Sequence, residues 1–311
     1  MTVHAPAAAG GRVVASHGRD AMVVDDSGVR VHCRLQGRRL AVVCGDRVRW
    51  TPGRTEGGSG TIVEVLPRHT ELVRINLRGG REPVAANLTQ LLAVVAPVPA
   101  PDFGLCDRYL AAAEWAGLKA CVVANKSDLP DAEGRLAAGL DGLARLGYPV
   151  VHASKRAADG AAALAVRLAG ETSVLVGQSG VGKSSLTNLL VPGVEAAVDE
   201  VTRASESGRH TTTTASLYRL PTGGELIDSP GVRDFSPPLP APREVAGGYR
   251  EIAALAGHCR FRDCLHRREP GCAVTAAVQA GTISARRLAS YRQLLRLAED
   301  FARRRVPGVR R

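Results

Sequence analysis

Lysine and aromatic side chains are scarce in this sequence, and no apolar run is long enough to cross a membrane. Only 4 of the 41 basic residues are lysine (Lys119, Lys126, Lys155 and Lys183), and aromatics are 4% of the 311 residues. Without about 18 consecutive uncharged apolar positions a membrane-spanning helix is excluded, and no membrane partner is expected. The opening MTVHAPAAAGGRVV has neither the basic start nor the apolar stretch of a signal peptide, so export is not expected and a cytoplasmic location is. The cysteines number 7, and three of them crowd between 259 and 272. That odd count argues against a disulfide framework and for a metal site plus isolated thiols. Scarcity makes each lysine informative, because a compact ammonium and a planar guanidinium are not equivalent at a close phosphate or base contact.

What is abundant is arginine, and it is unevenly placed. The net charge is +11, with 13 basic and 8 acidic residues in 1–95, 13 and 16 in 96–240, and 15 and 6 in 241–311. A near-neutral centre is thus flanked by two ends with affinity for polyanions. Residues 1–95 read as short strands between Gly, Asp and Ser turns (GRVVAS, AMVVDD, VRVHCRL, LAVVCGDRVRW, GTIVEVL, LTQLLAVV). That spacing predicts a small OB-type β-barrel, either an RNA-binding domain or a barrel that only packs on its neighbour. Its one aromatic, Trp50, offers no set of rings for base stacking, so arginine–phosphate contact is the expected mode.

APVPAPDFG (96–104) reads as a linker or βα loop. Helix and strand patterns then alternate to about 240, which predicts an α/β domain with a largely parallel sheet. Helical patterns at 242–256 and 283–305 bracket the Cys-rich loop of the third region, 241–311. In the tail pattern Leu288, Leu294, Leu295 and Phe301 share near-helical spacing while Arg fills other faces. Such a face suits solvent or a polyanion contact.

Four constellations carry chemistry. GQSGVGKSS after the apolar strand TSVLV places Gly177, Gln178, Ser179, Gly180, Val181, Gly182, Lys183, Ser184 and Ser185 in a phosphate-binding loop. Backbone N–H groups there cradle phosphates, Lys183 reaches the β/γ-phosphates and Ser184 ligates Mg²⁺. NKSD after the strand KACVVA gives Asn125, Lys126, Ser127 and Asp128. A carboxylate there accepts both the N1–H and the 2-amino group of guanine, a donor pair that adenine lacks. Ser154, in HASK after the strand PVV, centres a loop expected to touch the guanine O6. ELIDSPG places Asp228 and Gly231 in a D-x-x-G pattern, Asp228 for a Mg²⁺-bound water and Gly231 for the γ-phosphate. In GRHTTTT, Thr212 or Thr211 is expected to complete the Mg²⁺ shell.

The order of these motifs is unusual, because NKSD precedes the phosphate loop. The chain is therefore read as a circularly permuted GTPase, and it resembles the RsgA family of small ribosomal subunit assembly GTPases along nearly its whole length. GDRV, NKSD, GQSGVGKSS, GRHTTT, DSPGV and the Cys/His loop all take part. The resemblance implies an OB-fold domain at 1–95, a permuted GTPase domain at 96–240 and a zinc-binding domain at 241–311. It also implies GTP hydrolysis to GDP stimulated by the 30S subunit, binding to 16S rRNA as a monomer, and release late in maturation. After D-x-x-G stands Val232, which cannot orient water, so another group must act: His210 is the candidate side chain, with ribosomal RNA or a bound ion as the alternatives. The pattern C-x₄-C-x-H-x₅-C offers Cys259, Cys264, His266 and Cys272 as one structural Zn²⁺ site. His258 is the rival imidazole, and the family motif favours His266. Two competing readings remain: a nucleotide-gated RNA-binding module with negligible hydrolysis, and a P-loop kinase or ATPase.

Overall fold

The computed structural model describes residues 8–53, 58–75, 80–157, 159–191, 193, 215–228 and 238–305. His210, Thr211, Thr212, Gly231 and Val232 lie outside the described residues.

Five strands build the expected barrel: β1 (Ala9–His17), β2 (Asp20–Asp25), β3 (Arg30–Leu35), β4 (Arg47–Thr51) and β5 (Gly60–Val65). They run in the order β1-β2-β3-β5-β4, and a β1–β4 pairing closes the ring. Alternating residues Val13, Val23, Cys33, Val48 and Ile62 fill its interior, as the two-residue period of a strand requires. Trp50 is part of that core, its indole Nε1 donating to the Gly10 carbonyl at 3.2 Å. The ring is therefore withdrawn from any surface role. β6 (Glu71–Ile75) and β7 (Arg81–Ala86) form a separate hairpin.

LTQLLAVV, expected as the last barrel strand, belongs elsewhere. β8 (Gln90–Val95) is instead the centre of the parallel sheet, hydrogen-bonded to β9 (Lys119–Ala124) on one side and β11 (Thr172–Gly177) on the other. All six of its residues are buried. A continuous apolar run marks a strand covered on both faces, whereas a barrel strand alternates. The α/β unit thus begins before the Pro-rich stretch, which forms the β8–α1 loop. The full sheet order is β10 (Val150–His152), β9, β8, β11, β13 (Glu225–Asp228), β12 (Ala215–Arg219), all parallel except β12.

Successive β8 side chains face opposite layers. Leu91, Ala93 and Val95 pack with Leu110 of α1 (Phe103–Trp115) and Leu140 of α2 (Arg135–Arg145). Leu92 and Val94 pack with Leu164 of α3 (Ala162–Leu168) and Leu186 of α4 (Lys183–Leu190). The barrel joins the sheet edge on edge, because β1 also pairs antiparallel with β12 (Ala15 opposite Ser216, Ser16 opposite Ala215).

The first C-terminal helical pattern resolves into a 3-10 helix (Pro242–Gly248) followed by α5 (Arg250–Ala256). The short α6 (Ala273–Gln279), not foreseen from the pattern, precedes the expected tail helix α7 (Ala285–Arg305). Two ion-pair systems hold this region on α1. Arg287, 2% exposed, donates to Glu251 through Nε (2.7 Å) and Nη2 (3.0 Å) and to Asp107 through Nη1 (2.8 Å). Arg250 donates to Glu114 at 2.7 Å and lies 4.0 Å over the Tyr148 ring. Removing one member of a buried charge set leaves the others unpaired. Arg287→Ala is accordingly expected to lower unfolding free energy by about 3–5 kcal/mol in denaturant titration. Arg287→Lys should recover only part of the loss, since an ammonium cannot pair with two carboxylates through a planar fork.

Candidate nucleotide site and metal centre

β11 is buried throughout and delivers the glycine-rich loop to the C-terminal edge of the sheet. Lys183 opens α4 and folds back, its Nζ donating to the carbonyls of Gly177 (2.7 Å) and Gln178 (2.9 Å). The ammonium is thereby held against the loop's own backbone, at the N-terminus of a helix whose amides favour anions. Gly182 caps that helix with φ of 95°, and a Cβ there would stand 2.4 Å from Asn125 Nδ2. Only glycine meets both conditions.

That contact joins NKSD to the phosphate loop, two motifs far apart in the sequence. Asn125, 3% exposed, donates from Nδ2 to the Val181 carbonyl at 2.8 Å. Lys126 donates from Nζ to the carbonyls of Gly180 (2.8 Å) and Val98 (2.7 Å). NKSD is therefore clamped to the phosphate loop, and the β8–α1 loop is tied in with it. Ser127 N donates to the Ala153 carbonyl at 3.1 Å, which brings the HASK loop alongside. The buried Ser154 hydroxyl donates to Asp128 Oδ1. This bond holds the Asp128 carboxyl below the usual carboxylate range, with Arg156 and Lys126 contributing in the same direction.

Between these loops lies a cleft of about 330 Å³ lined by Asn125, Lys126, Asp128, Lys155, Arg156 and Ser185, among others. Its wall presents an ionised carboxylate, an acceptor pair for two adjacent N–H donors, and its floor leads to the phosphate loop. Lys155 and Arg156 were not foreseen as lining residues. Their signal was only their place beside Ser154. Arg156 Nη1 stands 3.8 Å from Asp128 Oδ2.

Asp228 ends β13, whose Ile227 pairs with Val174 of β11, so it sits at the same sheet edge as the phosphate loop. Ser184 lies in the first turn of α4. Of the expected magnesium and γ-phosphate groups, Thr212 and Gly231 fall outside the described residues, as does His210.

In the C-terminal region the ligand atoms of Cys259, Cys264, His266 and Cys272 all lie within 4.8 Å of one another. The sulfurs of Cys259, Cys264 and Cys272 stand 3.5, 3.6 and 3.6 Å from His266 Nδ1, and those of Cys259 and Cys272 are 4.0 Å apart. A tetrahedron with metal–sulfur bonds near ~2.3 Å and a metal–nitrogen bond near ~2.0 Å has edges of about 3.5–3.8 Å. The four groups therefore fit one four-coordinate metal ion. His266, with φ of 57°, turns its imidazole inward, and the exposed His258 is not part of the cluster. Backbone N–H groups of His266 and Thr275 donate to the sulfurs of Cys264 and Cys272, each at 3.4 Å. The remaining four cysteines, Cys33, Cys44, Cys106 and Cys121, are buried and unpaired.

The sequence pattern of the RsgA GTPase family matches residues 65–237, the span that holds every nucleotide motif. The chain belongs to the RsgA GTPase family. A relative from Azotobacter vinelandii named small ribosomal subunit biogenesis GTPase RsgA is 49% identical over 267 residues, covering 85% of this chain and 77% of that protein. One of the same name from Pseudomonas aeruginosa is 46% identical over 291 residues, covering 92% and 84%. Two crystal structures extend the likeness to nearly the whole chain. YjeQ from Thermotoga maritima superimposes with a TM-score of 0.76 at 32% identity, covering 94% of this chain and 99% of that one. YloQ, described as a circularly permuted GTPase, gives 0.72 at 26% identity, covering 99% and 100%. The barrel and the Cys/His region, which lie largely outside the matched span, are thus covered by the likeness to these two structures. The permutation read from motif order agrees with the description of YloQ.

Proposed function

We propose that this protein binds the 30S subunit, hydrolyses GTP to GDP and phosphate during late small-subunit maturation, and leaves when its nucleotide state changes. The observation that carries the reading is the Asp128–Ser154 wall clamped by Asn125 and Lys126 to a phosphate loop, a pocket made for a guanine nucleotide. The names of the relatives support the ribosomal partner. Surplus charge of the N- and C-terminal regions supplies surfaces for 16S rRNA.

In this reading Gly177–Ser185 cradle the phosphates and Lys183 turns from its carbonyls to the β/γ-oxygens. Asn125, Lys126, Ser127, Asp128 and Ser154 hold the base, and Gly231 senses the γ-phosphate. Ser184, Thr212 and Asp228 are the groups that would hold Mg²⁺, directly or through water, which when bound neutralises charge on the β- and γ-oxygens. His210 positions the attacking water. Its oxygen bonds to the γ-phosphorus while the bond to the β,γ-bridging oxygen breaks, giving GDP and inorganic phosphate. The Cys/His cluster would hold one Zn²⁺ with no open coordination position, a structural role. The protein acts in the cytoplasm as a monomer.

The test is GTP turnover by the metal-replete protein with and without 30S subunits. Turnover should be slow alone and rise by about tenfold or more with subunits. Flat turnover with intact GTP and GDP binding would replace this reading with a nucleotide-gated RNA-binding module.

A further inference from the structure

Among the described Phe, Tyr and Trp residues, one ring stands exposed. Phe261 is 41% exposed, whereas every other described Phe, Tyr or Trp is buried or half-covered. Burying a Phe side chain contributes about 1.5–3 kcal/mol, so a chain with 4 Phe gains nothing within its own fold by leaving one out. The ring sits between two metal-site cysteines, Cys259 and Cys264, on a loop that the cluster itself closes. Arg260 N donates to the Gly271 carbonyl at 3.0 Å and Cys264 N to the Phe261 carbonyl at 3.2 Å. Gly271 has φ of 73°, and a Cβ there would meet the Arg260 side chain at 2.9 Å. Arg260 is thus seated on Gly271, with its guanidinium 5.5 Å from the Phe261 ring centroid.

The surroundings are cationic. Arg260, Arg262 and Arg268 are exposed on the same loop, against Asp263 and Glu269, while Arg267 is paired with Glu299 of α7. Glu269 is turned to the backbone, accepting from the N–H groups of Leu265, Arg267 and Arg268. An exposed ring with a guanidinium beside it, on an arginine-rich loop, is complementary to a polyanion that carries flat, unpaired π-faces. Single-stranded RNA has that chemistry, since its splayed bases stack on aromatic side chains while arginines take the phosphates. An apolar protein groove would want the ring without its arginine rim, and duplex RNA would leave no base face free.

We infer that Phe261 is a stacking platform for one unpaired RNA base, with Arg260 and Arg262 engaging the adjacent backbone. The inference rests on the ribosomal reading above and names which side chain of the metal-bound loop reads RNA. It also gives the barrel and the C-terminal region different work, because the barrel's own aromatic is internal.

The experiment compares full-length, metal-replete wild type with Phe261→Leu, Phe261→Ala and Phe261→Trp for binding to 30S subunits and to a short single-stranded RNA. Equal metal content establishes that each variant is folded. Loss of the ring in the Leu and Ala variants should weaken 30S binding about 5- to 100-fold. The Trp variant should stay within about twofold of wild type, and its fluorescence should be quenched by the single-stranded RNA. The Leu change should leave the salt dependence unaltered, whereas Arg260→Gln with Arg262→Gln should reduce its slope by about two. If Leu binds like wild type while Ala does not, the contact is apolar and protein-like, and the inference falls. It falls equally if neither change matters, or if no quenching occurs with the RNA. Failure of wild type to bind 30S subunits would instead refute the ribosomal reading. Quenching by single-stranded RNA would then still support the stacking platform.

Discussion

Asp128→Asn is expected to lower affinity for GTP and GDP by about 100-fold or more and to raise affinity for the xanthine nucleotides. The substitution exchanges one carboxylate oxygen for an amide N–H₂. Guanine presents two donors to this wall, so one of them meets another donor, and a buried polar group left unpaired costs more than a lost bond. Xanthine carries a carbonyl oxygen in place of the 2-amino group and accepts from the new amide. Folding should be spared, because the Ser154 hydroxyl, now donating to Asp128 Oδ1, can donate as well to an amide oxygen. Competition of GDP, XDP and ADP against a fluorescent guanine nucleotide checks the result. Unchanged GDP affinity with no gain for XDP would remove NKSD from base recognition, and a gain for ADP would favour a general nucleotide pocket.

Loss of the metal should have the second large effect, confined to the C-terminal region. Cys272 contributes a sulfur to the cluster and also caps α6, accepting from Thr275 N at 3.4 Å. The two roles separate by substitution. Serine keeps a capping group worth about 1 kcal/mol and alanine does not, yet neither supplies a thiolate. Structural zinc contributes about 10–16 kcal/mol to the folding of small metal-dependent domains. Cys272→Ser and Cys272→Ala should therefore both fall to near-zero bound zinc, and both should lose hydrogen-exchange protection across 257–284. GDP affinity should persist, since the nucleotide loops rest on β8, β9 and β11 and not on this region. A zinc-free Ser variant with wild-type protection would show that Tyr249, Tyr291 and the other apolar residues packed with them hold the region alone.

The two variants probe parts of the protein that were unequally legible in the sequence. The phosphate loop, NKSD and the Cys/His spacing could be read because each chemistry demands particular residue types a few positions apart, a local constraint. Motif order alone exposed the permutation. The α/β strands were legible from apolar runs, but β8 was assigned to the wrong unit. A short apolar run states only that both faces are covered, and its neighbours β9 and β11 arrive 29 and 83 residues later in register. The break at Tyr249 and the short α6 were hidden because the packing of the C-terminal region on α1 and the metal cluster decide them, not propensity.

By itself the sequence determined which chemical groups this protein carries: a glycine-rich loop with its lysine, the NKSD carboxylate, a set of three cysteines and one histidine, and two cationic ends. Tertiary structure decided which of these groups meet. It brought Asn125 onto Val181 and Lys126 onto Gly180 and Val98, chose His266 over His258, withdrew Trp50 into the barrel and left Phe261 outside. Each is a contact or an exposure set by packing between distant segments, and side-chain burial over such separations leaves no periodic trace in a chain.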